Sequence, residues 1–293
     1  EVPDIVARIC GICPVAYQLT ACGALENALG IRVTRDIQQL RRLLYCGEWI
    51  QSHALHVFLL HAADYLGFES GFTLAAARPE FVERGLRMKA IGSRILEVIG
   101  GRAVHPINVA VGGFHRSPDA AAVRGLVPEL EWGLAAALDT AAEVAEFDAF
   151  AFDTPCDSVA LDCPLGYVNA GDGDETRIRI QQGAQASGSA GAAVLDIPIA
   201  DFERHFRERQ VPHSTALHSL REPAGTPYLV GPISRMNLCR ERLPPQTRRA
   251  ADACGLEHPC TNSFRSIVVR MLEVAAAFEE AIAIAGGSRA ALA

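Results

Sequence analysis

The sequence predicts a mainly α-helical chain, a bundle of long helices that carries a small α+β insertion. Three observations lead there. Apolar residues recur every three to four positions through most of the 293 residues. Between residues 157 and 196 the texture changes to short β-like runs with Gly-Asp turns. No internal repeat divides the chain, and 49% hydrophobic residues are enough for one large core or two modest ones. We read residues 1–293 as a single domain, with a helical bundle over 1–150, an α+β insertion over 151–235 and a return to the helical core over 236–293.

The first helix is expected to start at Pro14, a good first-turn residue, and to run to Leu29, where Gly30 ends it. Thr34 then caps a segment over 35–67, with Ile37, Leu40, Leu44 and Gly47 along one stripe. At 1.5 Å per residue such a helix spans roughly 50 Å, a length suited to a bundle. A third helix covers 78–99 through Met88, Ile91, Ile95 and Ile99, and stops at Gly100-Gly101. Ser117-Pro118-Asp119 opens a fourth helical region to about 150, which Pro128 bends or divides. Strands are expected at Ser158–Leu161 and Thr176–Ile180, and a Gly/Ala/Ser-rich loop at 183–193. Helix returns at 199–209 and again at 262–285, where Phe264, Ile267, Met271, Ala275, Phe278 and Ile282 repeat at helical intervals.

Composition narrows the function. A net charge of −7 with scattered Lys and Arg argues against nucleic acid. Every apolar run is interrupted by a charged residue or His before it reaches the ~20 residues of a membrane span. Nine cysteines, an odd number, fit a reducing, cytoplasmic setting better than a disulfide framework. Cys22, Cys46, Cys239 and Cys254 read as small core residues, and neither Cys156/Cys163 nor Cys254/Cys260 has a standard metal-ligand spacing. Both ends read as cut: the chain opens on Glu1-Val2-Pro3-Asp4 and stops at Ala291-Leu292-Ala293, as an internal piece of a longer protein would.

Chemistry concentrates at Arg8-Ile9-Cys10-Gly11-Ile12-Cys13, followed at once by Pro14. A zinc site needs about four ligands, and no second pair stands at finger or ribbon spacing. An iron–sulfur cluster needs more cysteines at short intervals, and Cys22 is too far and out of helical phase. A dithiol redox pair has the right local shape, Cys-Gly-Ile-Cys-Pro before a helix, although residues 2–8 make a poor preceding strand. Half of a metal site completed by distant thiolates is the other reading, since bundles build core sites from separate elements. The motif alone leaves these last two level.

The string from Arg8 to Ala21, Arg-Ile-Cys-Gly-Ile-Cys-Pro-Val-Ala-Tyr-Gln-Leu-Thr-Ala, resembles the first cysteine motif of the large subunit of nickel–iron hydrogenases. Further segments agree in order. His53-Ala54-Leu55-His56 with His61 and Asp64 is similar to that family's second-helix histidine stretch. Residues 101–106 with Gly112-Gly113-Phe114 resemble its His and Gly-Gly turn. His213, His218 and residues 227–235 follow the soluble, nicotinamide-linked branch, and Asn262–Ser266 opens what looks like a late core helix.

The resemblance implies a long-helix bundle of the nickel–iron hydrogenase large-subunit type and a reversible heterolytic cleavage of dihydrogen into protons and electrons. It implies a nickel held by four thiolates, two of which bridge to an iron carrying carbon monoxide and cyanide; soft thiolates suit such metals. Cys10 would be a terminal nickel ligand and Cys13 a bridge. Electrons would leave through iron–sulfur clusters on a small subunit and reach NAD(P) on diaphorase-type subunits. The remaining two thiolates are expected beyond residue 293, so residues 1–293 alone are expected to be inactive.

One departure stands out. Four residues after the second Cys the family has His, and this chain has Tyr17, whose phenol can donate a hydrogen bond but does not titrate near neutral pH. Arg8, Tyr17, His53, His56 and His105 are the candidate residues around the metal ligands. Each has a plainer reading. His53 and His56 lie one turn apart and read as satisfied buried histidines; His105 reads as a turn residue with a structural hydrogen bond. Arg8 either sets the local charge or caps its segment. Asp64 ends its helix or pairs with an Arg, and His213 and His218 fall in a loop. Two other functions compete: a non-catalytic hydrogenase-like scaffold, as in the quinone-side subunit of respiratory complex I, and a dithiol oxidoreductase.

Overall fold

The computed structural model describes residues 1–153, 156–162, 167, 176–181, 183 and 194–287. A short helix α1 (Val2–Val6) and a 3-10 turn (Ala7–Ile9) lead to Cys10 in extended backbone, φ −138° and ψ 134°. Helix α2 (Pro14–Leu29) starts on Pro14 and stops at Gly30, whose φ of 66° needs no side chain. Thr34 caps α3 (Arg35–Leu55) by accepting the Ile37 N–H at 3.5 Å. The helical backbone then widens to a π-helical stretch, His56–His61, and closes in α4 (Ala62–Tyr65). The single helix expected over 35–67 is therefore three segments in one run, α, π and α.

Ser70 and Thr73 form a capping box on α5 (Gly71–Ala77), and α6 (Pro79–Gly100) ends at Gly101 with φ 79°. A minimal hairpin, β1 (Val109–Ala110) and β2 (Gly113–Phe114), precedes α7 (Ala120–Arg124), which Asp119 caps. Helix α8 (Val127–Ala145) follows directly. The chain divides at Gly125-Leu126 rather than at Pro128, because Pro128 occupies the first turn of α8, where its missing N–H has no partner to lose.

Strands β3 (Asp157–Asp162) and β4 (Arg177–Gln181) match the two expected runs, and β5 (Val194–Pro198) is a third that periodicity did not reveal. The Gly/Ala/Ser-rich stretch 183–193 lies outside the described residues apart from Gly183, as does Cys163. The helix expected over 199–209 is mostly not helical. A 3-10 turn (Ile199–Asp201) and one turn of helix, α9 (Phe202–His205), give way to β6 (Phe206–Val211), paired antiparallel with β7 (Ser214–Arg221). Pairing with β7 and burial of Phe206 among Val159, Ile178, Ile180 and Ile197 override the helical preference of the Arg/Glu-rich stretch. His213 sits at the hairpin turn and His218 in β7, rings 5.2 Å apart, rather than both in a loop.

A fourth strand, β8 (Tyr228–Leu229), joins β3 in parallel, so the sheet runs β5-β4-β3-β8. Its register sets Val159 against Ile180 and Ile178 against Ile197, which gathers the small second core on one face. Helices α10 (Pro232–Cys239) and α11 (Pro245–Ala253) lead back to the bundle, and Asn262 caps the turn before α12 (Ser266–Ala285).

The large core lies where α3, α6, α8 and α12 pack together. Contact between α3 and α6 is close enough that a Cβ on Gly92 would stand 2.6 Å from the Gly47 carbonyl oxygen. Among the described residues no helix is long and apolar enough to cross a membrane. Cys22, Cys46 and Cys239 are buried as expected; Cys254 is half-buried. The outcome is a mainly α fold with a small sheet region, as the sequence predicts.

Candidate functional site

The cysteine pair is built by the junction of the 3-10 turn and α2. Extended backbone at Cys10 turns the chain so that the N–H groups of Ile12 and Cys13 both donate to Cys10 Sγ, each at 3.3 Å. The Cys13 thiol, and after it these N–H donors, hold the Cys10 thiol below its usual range. Burial, and then the same thiol–thiol hydrogen bond, push Cys13 up to about 12. Both sulfurs remain partly accessible. The two thiols are thus unlike: the first ionises more readily than a free thiol and the second less readily.

Three contacts fix this turn to the bundle. His105 Nδ1 lies 2.9 Å from the Ala7 carbonyl oxygen, just before the pair. Gln18 on α2 donates Nε2–H to the Pro106 carbonyl at 2.6 Å. His105 has φ 51°, a left-handed conformation that non-glycine residues adopt reluctantly, and the hydrogen bond holds it there. The third contact comes from Glu48 on α3, whose carboxylate accepts the Val15 N–H at 2.7 Å and the Ala16 N–H at 3.1 Å.

Helix α3 also carries a buried charge cluster. Glu273 on α12 is fully enclosed and takes His53 Nε2 at 2.7 Å, the Tyr167 hydroxyl at 2.9 Å and Arg235 through Nε and Nη2 at 2.7 and 2.9 Å. Burial alone would raise its pKa; the Arg235 charge and the His53 and Arg235 hydrogen bonds outweigh it and hold the carboxyl well below the usual range. Arg235 also stacks over Trp49 at 4.6 Å. Nearer the helix end, buried Glu26 pairs with Arg41 and accepts the Gly112 N–H at 2.7 Å, joining α2, α3 and the β1–β2 turn.

The remaining sequence-predicted residues are placed differently. Tyr17 is exposed on α2, and its hydroxyl makes no hydrogen bond among the described residues, so a phenol-to-thiolate contact is not formed. Arg8 is exposed on the 3-10 turn, and Asp64 is exposed near the end of α4. His53 is buried and half satisfied: Nε2 pairs with Glu273, while its buried Nδ1 has no hydrogen-bond partner among the described residues. His56 is less so: its ring meets His61 edge-on at 4.5 Å, and the buried Nδ1 of each has no hydrogen-bond partner among the described residues. Cys10, Cys13 and His105 come together at one end of α2, while His53 and His56 belong to the α3–α12 interface.

Sequence reasoning missed Glu48, Tyr167 and the Glu273–Arg235 pair. A signal for Glu273 is present: it is the lone charge in the apolar stretch between Arg270 and Phe278, which requires a buried partner.

Two thiols, the first held below its usual range by the Cys13 thiol and by backbone N–H groups, fit half of a four-thiolate site for a soft metal. Among the described residues no three or more His, Cys, Asp or Glu side chains gather to hold a metal ion.

Residues 1–84 match the family model described as nickel-dependent hydrogenase. The chain is 30% identical over 291 residues to sulfhydrogenase 1 subunit alpha of Pyrococcus furiosus, covering 96% of this chain and 62% of that protein. Over 118 residues it is 45% identical to sulfhydrogenase 2 subunit alpha of the same organism, covering 40% and 29%. It therefore spans about three-fifths of the first relative's length and less than a third of the second's. Among solved structures it resembles an NAD+-reducing NiFe hydrogenase in the hydrogen-reduced state, with TM-score 0.81, 24% identity and coverage of 98% and 68%. A Ni-Fe-Se hydrogenase from Desulfomicrobium baculatum superposes with TM-score 0.61, 18% identity and coverage of 96% and 69%. At these identities the structural likeness concerns the fold.

Proposed function

We propose that this chain, which resembles the nickel-dependent hydrogenase large subunits, is one of them and forms part of an enzyme cleaving dihydrogen heterolytically and reversibly. Cys10 and Cys13 would supply two of the thiolates that hold the nickel–iron centre. When bound, the nickel–iron centre supplies Lewis acidity and a place for the electrons of the broken bond. The observation that carries the reading is the pair of N–H donors aimed at Cys10 Sγ, which favours its thiolate form, within the stretch that matches the nickel-dependent hydrogenase model.

The chain's own residues do the holding. The 3-10 turn and the N-terminus of α2 orient the two sulfurs, His105 and Gln18 strap the turn to residues 100–106, and the His53–Glu273–Arg235 cluster joins α3 to α12. On the resemblance the other two thiolates belong beyond residue 293, and residues 1–293 taken alone are expected not to consume hydrogen. Exposed Ile5, Ile9 and Ile12 flank the cysteines and support a covering partner surface, which we assign to a small subunit with iron–sulfur clusters. Likeness to the NAD+-reducing enzyme supports diaphorase-type subunits and NAD(P) as the acceptor, and eight free thiols among the described residues support a cytoplasmic setting.

The dithiol oxidoreductase draws on one specific observation: a lowered first thiol and a raised second one is also what a redox pair uses. Its motif, however, follows a 3-10 turn rather than a buried strand. A scaffold without metal has no use for a prepared thiolate. Hydrogen uptake by the assembled, metal-loaded enzyme that disappears on metal removal supports the hydrogenase. Dithiol–disulfide turnover that persists in metal-free protein overturns it.

A further inference from the structure

We propose that Glu48 is the positioning residue of the cysteine pair: its carboxylate on α3 pins the first turn of α2 and so sets where the two sulfurs sit. This rests on the reading that the pair holds metal. The first N–H groups of a helix lack intrahelical acceptors. In α2, Pro14 has no N–H, and Cys13 in the N-cap position gives no side-chain cap. The next two donors, Val15 and Ala16, both go to Glu48, one to each oxygen, from 33 and 32 residues away. Tyr17 closes the turn by donating its N–H to the Cys13 carbonyl at 3.4 Å.

Water cannot replace this cap. Val15 is 0% exposed and Glu48 3%. Nor does the carboxylate serve to ionise the thiols, since its charge disfavours thiolate at both Cys10 and Cys13. What remains is geometry. A negative group at a helix N-terminus suits the dipole, and α3 is itself fixed against α6 and α12, so the sulfurs are referred to the stiffest part of the bundle. The adjacent Cys13 N–H, already donating to Cys10 Sγ, passes that reference to the second sulfur.

The test uses the full chain with Glu48→Ala, which removes both acceptors, Glu48→Gln, which keeps one oxygen, and a Cys10→Ser/Cys13→Ser control. Amide exchange of residues 11–17 and the relative alkylation rates of Cys10 and Cys13 are read in metal-free protein. Ni2+ affinity is read from thiolate-to-nickel absorption. For Glu48→Ala we expect faster exchange over 11–17 with α3 and α12 still protected. Ni2+ affinity should fall about 10- to 100-fold, the size found when a group supporting a ligand is lost, and Gln should restore part of it. Unchanged exchange and affinity overturn the proposal, as does loss of protection throughout α3 and α12 with no rescue by Gln. If the double-serine control binds Ni2+ like wild type, the metal reading fails instead. Exchange and alkylation then decide the positioning claim: altered values uphold it, wild-type values overturn it.

Discussion

His53 Nε2 lies 2.7 Å from Glu273 Oε2 across the contact of α3 with α12, and Arg235 forks onto the same carboxylate. Glu273 is fully enclosed, so it exchanges water for three side chains at once. Removing one member of such a cluster costs more than the cluster adds, because charges are left without partners. Glu273→Ala should lower stability by about 3 kcal/mol or more in urea unfolding, and Glu273→Gln by less. A loss under about 1 kcal/mol would show that the cluster relaxes into solvent.

Glu48 makes stability depend on pH. Burial pushes its carboxyl up to about 7 from the ordinary 4.5, against the pull of the Val15 and Ala16 N–H groups. Between those values the folded chain holds a proton that the unfolded chain releases, so this contribution is full below the lower value and is lost as pH rises to the upper one. In metal-free protein, the stability of wild type relative to Glu48→Gln should fall by roughly 3 kcal/mol across that window. A difference that stays flat or grows with pH contradicts the assignment.

The long helices were legible because their apolar stripes are long and their stops are plain: Pro14 and Gly30 bound α2, and Gly101 ends α6. The π-helical stretch was not, since His56 and His61 read equally well on a regular helix. At 199–209 the charged residues favour helix locally, and only the later strand at 214–221 and the docking of Phe206 turn the segment into a hairpin. For the site, the cysteines announce themselves by spacing. Glu48 does not, because a lone Glu beside Trp49 and one turn from Gln51 looks like a solvent-facing residue until α2 is laid across it.

The contact of α3 with α6 depends on glycine. A Cβ at Gly92 would meet the Gly47 oxygen at 2.6 Å and the Gln51 nitrogen at 2.8 Å, both backbone atoms that cannot give way alone. Gly92→Ala should therefore destabilise the chain by about 1–3 kcal/mol, although alanine is the better helix former. A neutral or higher melting temperature would mean that the two helices separate freely.

His56 should stay neutral through the physiological range. Burial, aided by the Arg270 charge, brings it down to about 4. Its ring resonances in an NMR titration are expected to hold constant from pH 8 to about 5. Titration near 6.5 would place the ring in solvent rather than against His61.

Nickel K-edge X-ray absorption of the assembled enzyme, compared with Cys10→Ser and Cys13→Ser, tests the central claim most directly. The account predicts a sulfur-rich nickel shell in wild type and loss of nickel or of sulfur scatterers in each variant. Nickel bound with an unchanged sulfur shell in both variants would contradict it.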